Sequence, residues 1–213
     1  MKSFNKVLFI SPHTDDVELG AGGTLIRFLE EKKDVYIAVF SLARESLQSH
    51  GLPPNQLEEE FNQSMDYAGV PKESRFIYDF PLREFSAHRQ NILDKLIELR
   101  NKIRPDLIII PSKNDIHQDH QVVHNESARS FKFHNIWCYE LPWNQMQFNG
   151  IVYVSLTQEI VDKKLHALSF YKSQISLSRP YFDKDFITGL ARVRGCQSSL
   201  DFAEAFEVIR EYY

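Results

Sequence analysis

Two uninterrupted apolar runs, Val7-Leu8-Phe9-Ile10 and Leu107-Ile108-Ile109-Ile110, constrain this chain more than any other feature. Four consecutive branched or aromatic side chains leave no polar face. Each run therefore reads as a strand buried on both sides, not as the half-solvated strand of an antiparallel sheet. Amphipathic segments alternate with such strands. Ala21 to Lys32 reads as a helix, Asp34 to Ser41 as a strand, and Gln56 to Ala68 as a helix closed by Gly69. Arg75 to Phe80 follows as a strand and Ala87 to Ile103 as a helix stopped by Pro105. A helix from Gln118 to Phe131 and a strand from Ile136 to Glu140 continue the series. Strand and helix in alternation imply right-handed crossovers. The expected fold is α/β: a Rossmann-like three-layer sandwich with a mostly parallel central sheet. The tail is less regular. Ile151 to Val154 reads as a strand, Thr157 to Ser173 as a helix, and Phe202 to Tyr212 as either. No repeat or linker divides the chain, so residues 1–213 are expected to form a single domain.

Composition excludes several partners. A net charge of −4 offers no broad basic surface, which argues against nucleic acid. The two cysteines, Cys138 and Cys196, stand far apart and outside any Cys-x-x-Cys pattern, so neither a disulfide framework nor a thiolate metal site is expected. No apolar run approaches the roughly 18 residues of a spanning helix. A cytoplasmic protein without membrane insertion, acting on a small molecule, is the expectation.

The chemistry gathers in two polar turns. Ser11-Pro12-His13-Thr14-Asp15-Asp16 follows the first apolar run, and Ser112-Lys113-Asn114-Asp115-Ile116-His117-Gln118-Asp119-His120 follows the second. Parallel strands present their C-terminal ends at one edge of the sheet. If these two strands are close neighbours, His13, Asp15, Asp16, His117 and His120 share one pocket, with Asp119 beside them. Such groups repel or compete unless something positive gathers them, and a divalent metal is the simplest candidate. Two imidazoles and a carboxylate around zinc, with a position left open for water, is a known catalytic set. Helix capping by Asp15 and Asp16 is the bland alternative. Gly20-Ala21-Gly22-Gly23 lacks G-x-G-x-x-G spacing and reads as close packing of helix against sheet. His124, one helical turn beyond His120, reads as a neighbour of the site or a surface residue.

The run His13-Thr14-Asp15-Asp16-Val17-Glu18-Leu19-Gly20-Ala21-Gly22-Gly23-Thr24 resembles the His-Pro-Asp-Asp-Glu motif of the PIG-L/LmbE-like zinc-dependent deacetylases, whose members include GlcNAc-PI de-N-acetylase. His117-Gln118-Asp119-His120 resembles that family's second motif, His-x-Asp-His, and Phe202-Ala203-Glu204-Ala205-Phe206 a weaker C-terminal signature. Thr14 replaces the usual Pro and loosens the turn, since Pro fixes φ and Thr does not. Val17 replaces a common Glu. The resemblance implies that His13, Asp16 and His120 hold one Zn2+ per chain. The same ligand set also accepts Fe2+, Co2+ or Mn2+. It further implies that Asp15 is the general base and that His117 stabilises the oxyanion or protonates the leaving amine, with Asp119 orienting His117. The implied reaction is removal of the N-acetyl group from an N-acetylated amino sugar or its glycoconjugate. Assembly into a homo-oligomer is an expectation of the resemblance alone. A metal-dependent phosphoesterase and a non-catalytic sugar-nucleotide-binding module are the rival readings. On the rim, Arg44 is a candidate substrate contact and Trp143 a stacking face. Trp137 is assigned to the core, and Arg192, Arg194 and Glu204 are candidates to approach from the C-terminal region.

Overall fold

A computed structural model describes residues 4–212. In chain order its elements are β1 (Lys6–His13), α1 (Asp16–Glu30), β2 (Asp34–Ser41), α2 (Arg44–Ser49), α3 (Gln56–Ala68), β3 (Arg75–Ile77), α4 (Arg89–Ile103) and β4 (Leu107–Pro111). Then come α5 (Gln118–Ser130), β5 (Asn135–Tyr139), β6 (Val152–Leu156), α6 (Gln158–Leu168), α7 (Lys172–Ser176), α8 (Lys184–Gln197) and β7 (Phe202–Arg210). The strands form one sheet in the order β3-β2-β1-β4-β5-β7-β6. The first five are parallel, whereas β7 runs antiparallel to both β5 and β6. This is the mostly parallel α/β architecture that the alternation of elements implies.

The unbroken apolar strands do bury both faces. Val7, Phe9, Val35, Ile37, Leu107 and Ile109 belong to one core, together with residues of α1, α3 and α6. Leu8, Ile10, Ala38, Phe40, Ile108 and Ile110 belong to the other, with α4 and α5. Because β1 pairs with β2 on one side and β4 on the other, strand order reverses between β1 and β4. An α/β sheet opens a crevice at such a switch point. Trp137 packs in the core, edge-on to Phe4.

Several boundaries differ from the sequence expectation. β7, which the sequence left between strand and helix, is a nine-residue strand inserted between β5 and β6. The expected helix 157–173 breaks into α6 and α7. The sequence reading assigned no element to α8, although Asp183 caps it through Asp185 N and Phe186 N and Ile187, Ala191 and Gly195 line its buried face. The loop 42–55 contains α2, and β3 is shorter than expected.

α1 begins five residues before the expected start, at Asp16, and is kinked at Ala21 (φ −145°, ψ 16°). In an unbroken helix Gly23 N would bond to Leu19 O. Instead Gly23 N and Thr24 N donate to Glu204 at 2.8 and 2.6 Å. Lys164 Nζ donates to Leu19 O and to Glu204 Oε1, both at 2.7 Å. A buried ion pair is thus spliced into the helix ladder, a recognised cause of a kink. The glycines do pack closely. A Cβ on Gly20 would lie 2.5 Å from Tyr139 Cδ2 and 2.9 Å from Glu140 O, and one on Gly23 would lie 2.6 Å from Leu156 Cδ1.

Candidate active site

β1 ends at His13 and β4 at Pro111, so their adjacency brings the two polar turns together. His13 Nδ1, Asp16 Oδ2 and His120 Nε2 form a triangle with edges of 3.1, 3.2 and 3.2 Å. A buried carboxylate holds the far nitrogen of each imidazole. Asp119 Oδ2 lies 3.1 Å from His13 Nε2, and Asp115 Oδ2 lies 2.6 Å from His120 Nδ1. An ionised carboxylate only accepts, so these far nitrogens carry protons, and in the neutral form of each ring the near nitrogen turns a lone pair toward Asp16. Three electron-rich atoms then face one point. Burial presses both imidazoles down, but Asp16 together with Asp115 behind His120 and Asp119 behind His13 outweighs it, lifting His120 to about 10 and His13 above its usual range. Burial disfavours the Asp16 carboxylate, yet His120 and His13 hold its pKa far below the ordinary range. A cluster so short of positive charge draws a proton or a cation alike.

The donor set fits a divalent ion. Tetrahedral zinc with bonds of about 2.0–2.1 Å sets its donors about 3.3–3.4 Å apart, close to the triangle's edges. The carboxylates behind both imidazoles supply the outer-shell support that metal-ligating histidines usually have. Nitrogen atoms of His13, His117 and His120 also lie within 4.8 Å of one another, so the cluster has the make-up of a metal site.

His117 differs from the other two imidazoles in its partner. It caps α5, and its Nδ1 accepts from Asp119 N at 3.2 Å. A backbone N–H can only donate, so the neutral ring carries its proton on Nε2. Burial, reinforced by His13 and His120, pushes the His117 pKa down to about 4. The sequence expectation that Asp119 orients His117 therefore holds only for the Asp119 backbone. The Asp119 carboxylate turns to His13, where Arg83 N also meets it at 2.8 Å. A capping geometry that brings the Asp119 amide under His117 Nδ1 leaves the carboxylate to the neighbouring strand end.

Asp15 lines the same cavity as the triangle, and among the described residues no other side chain is hydrogen-bonded to its carboxylate. Burial and the adjacent Asp16 charge push it up to about 7. Beneath the turn, Tyr171 OH lies 2.7 Å from Thr14 O and 2.5 Å from Glu18 Oε1. Tyr171 thus anchors the carbonyl of Thr14. Burial lifts the Glu18 carboxyl to about 8.

The cavity is about 340 Å3, within the range of small-molecule sites. Leu47, Leu57, Leu82 and Leu177 give it apolar walls. Trp143 also lines it, stacked on Tyr181 at a centroid distance of 4.1 Å. Arg44 does not line it. Its guanidinium is held by Asp79 and Glu58 at 2.7 Å each and by Pro54 O at 3.2 Å. Nor do the C-terminal candidates reach it: Arg194 pairs with Glu140, Arg192 with Asp201, and Glu204 with Lys164 at the kink. Sequence reasoning missed Asp115 and the loop around Arg83. Asp115 was legible as an acidic residue five positions before His120 in the same turn. The loop carried no such signal.

An open, mostly parallel α/β sheet with a histidine–aspartate cluster at its switch point defines a Rossmann-like α/β protein. More particularly, residues 8–130 match the PIG-L family model, described as GlcNAc-PI de-N-acetylase, and the chain belongs to that family. The uncharacterized deacetylase YaiS of Escherichia coli K12 is 28% identical over 184 residues, which cover 81% of this chain and 95% of that protein. The N,N'-diacetylchitobiose deacetylase of Pyrococcus horikoshii superposes with a TM-score of 0.78 at 20% identity, over 97% of this chain and 84% of that one. GalB, the 4-carboxy-2-hydroxymuconate hydratase of Pseudomonas putida KT2440, superposes with a TM-score of 0.79 at 16% identity, over 98% of each chain. These two likenesses are of fold, and a hydratase among them shows that the fold alone does not set the reaction.

Proposed function

We propose that this protein is a metal-dependent de-N-acetylase, acting on an N-acetylated amino sugar or a glycoconjugate of one. The observation that carries the reading is the triangle of His13 Nδ1, Asp16 Oδ2 and His120 Nε2 beside an Asp15 carboxylate bonded to no other side chain among the described residues. The hydrogen bonds divide the three histidines. His13 and His120 give up a proton-bearing nitrogen to Asp119 and Asp115 and keep a lone pair free, whereas His117 keeps an N–H free. His13, Asp16 and His120 therefore serve as ligands and His117 as a donor. Zn2+ is the ion we assign; when bound it supplies Lewis acidity at the amide carbonyl and lowers the pKa of the attacking water.

The remaining work falls to the chain. Asp15 accepts the proton of the attacking water. His117 Nε2–H donates to the carbonyl oxygen as negative charge grows there. The amide C–N bond then breaks, the proton held by Asp15 passes to the leaving nitrogen, and acetate and the free amine result. His117 needs no positive charge for this role.

The reading is tested by acetate release from N-acetylglucosamine and its glycosides. Asp15→Asn retains the metal and loses activity by about 10²–10⁴-fold, whereas His120→Ala loses both. Full activity in both variants excludes this site.

A further inference from the structure

Asp15 occupies the N-cap position of α1, yet its side chain makes no capping hydrogen bond. An aspartate there ordinarily accepts from the N–H two or three residues on. Here Val17 N donates instead to Ser11 Oγ at 3.2 Å, and Ser11 gives its own proton to His13 O at 2.5 Å. Ser11 thus does the capping that Asp15 forgoes. The backbone of Asp15 differs to match. At φ −106° and ψ −10° it lies in the bridge region, not in the extended region usual for an N-cap.

A carboxylate that no other side chain holds takes its direction from the backbone, and Asp15 leans on its own N–H. That N–H and Thr14 O belong to one planar peptide unit, whose atoms turn together. Tyr171 OH holds the oxygen end of the unit at 2.7 Å. A carbonyl brings no proton, so the one between them is the phenol's. Tyr171 is fully buried and its oxygen also meets Glu18 Oε1 at 2.5 Å, which leaves the ring little room to swing away. It reaches the turn from 157 residues along the chain, and it does not itself line the cavity. Whatever it contributes to the reaction passes through the turn it holds.

We propose that Tyr171 is a positioning residue for Asp15: by holding Thr14 O, with Ser11 at Val17 N, it keeps the Asp15 carboxylate turned into the cavity and away from the amides of α1. This rests on the de-N-acetylase reading, in which Asp15 is the general base. Without the phenol hydroxyl the Thr14–Asp15 peptide is free to rotate, and the carboxylate falls back to the cap.

The test compares wild type, Tyr171→Phe, Asp15→Asn and the double variant, all loaded with Zn2+ and assayed on N-acetylglucosamine. We expect Tyr171→Phe to lose about 10–10²-fold in kcat, the scale of a small misplacement of a reacting group. KM and zinc affinity stay within about twofold. In the Asp15→Asn background the same change costs less than about twofold, because two residues acting as a unit are not additive. Hydrogen exchange over residues 11–19, which needs no turnover, runs beside the assay. Tyr171→Phe is expected to speed it about tenfold or more in that segment and to leave the rest of the chain unchanged. Wild-type kcat and exchange in Tyr171→Phe overturn the proposal and leave the deacetylase reading standing. Equal losses with and without Asp15, or a loss that follows departure of the zinc, overturn it too. Acetate from neither N-acetylglucosamine nor its glycosides with the wild type counts against the deacetylase reading, and the exchange arm still decides whether Tyr171 holds the turn. If Tyr171→Phe does not fold, Ser11→Ala, which frees Val17 N to draw Asp15 into the cap, decides by the same readouts.

Discussion

Asp115 Oδ2 lies 2.6 Å from His120 Nδ1, and Asp115 Oδ1 accepts from His117 N at 2.8 Å, so one fully buried carboxylate sets both histidines of the second turn. Removing it frees the His120 ring to change tautomer and rotate. Asp115→Ala is expected to weaken metal affinity by about 10–100-fold, with Asp115→Asn falling between. Competition against a chelator of known affinity measures this. Wild-type affinity in Asp115→Ala would mean that the carboxylate does not govern the ligand.

The division of labour among the histidines is checked by metal content. His117→Ala is expected to keep its metal and lose about 10²–10³ in kcat, the worth of one oxyanion donor. Asp16→Ala is expected to lose the metal. Metal retained in Asp16→Ala and lost in His117→Ala would transfer ligation from the carboxylate to the third imidazole.

How much of this was readable in the sequence follows from the range of the forces involved. The strands at Val7–Ile10 and Leu107–Ile110 were legible because burial on both faces leaves an uninterrupted apolar signature. Their adjacency in the sheet then made the His13 and His117 turns converge. Side-chain direction was not legible. Whether Asp119 turns to His117 or to His13 depends on a cap geometry and on Arg83 N, 36 residues away in sequence. The same holds for Arg44, whose rim position follows from β2 but whose partners come from α3 and the loop after β3. Glu204 reads in the sequence as a candidate to approach the site from the C-terminal region, because the kink it satisfies, in α1, lies 180 residues earlier.

The splice at that kink makes a stability prediction. Lys164 and Glu204 are buried, and Lys164→Met strands Glu204 as an uncompensated charge. It is expected to cost about 3–5 kcal/mol. Lys164→Met combined with Glu204→Gln should cost less than the sum of the two single changes. Urea unfolding of the four proteins gives the coupling. Simple additivity would mean that the two side chains act independently at the kink.

His124 gives a pH dependence. It is buried with Nδ1 2.8 Å from Pro111 O, which as a carbonyl accepts. Burial lowers its pKa below 6.5, against the opposing influence of Pro111 O and Glu207 and with a small contribution from Lys113. The unfolded chain therefore binds this proton first as pH falls. The contribution is fully present above about pH 6.5 and is lost as pH falls from there through the folded pKa. Subtracting the stability profile of His124→Gln from that of the wild type isolates this residue. The difference should be flat above pH 6.5 and the wild type should fall faster below it. A difference independent of pH would mean that His124 titrates alike folded and unfolded.

The central claim is that one metal ion, held by His13, Asp16 and His120, serves an amide hydrolysis driven by Asp15. The most direct test titrates Zn2+ into chelator-stripped protein and follows acetate release together with bound metal. The account predicts that activity rises in proportion to bound metal and levels off at one ion per chain. Activity that keeps rising to two ions per chain, as a two-metal phosphoesterase-type centre requires, or no acetate from any N-acetylated sugar at one bound ion, would contradict it.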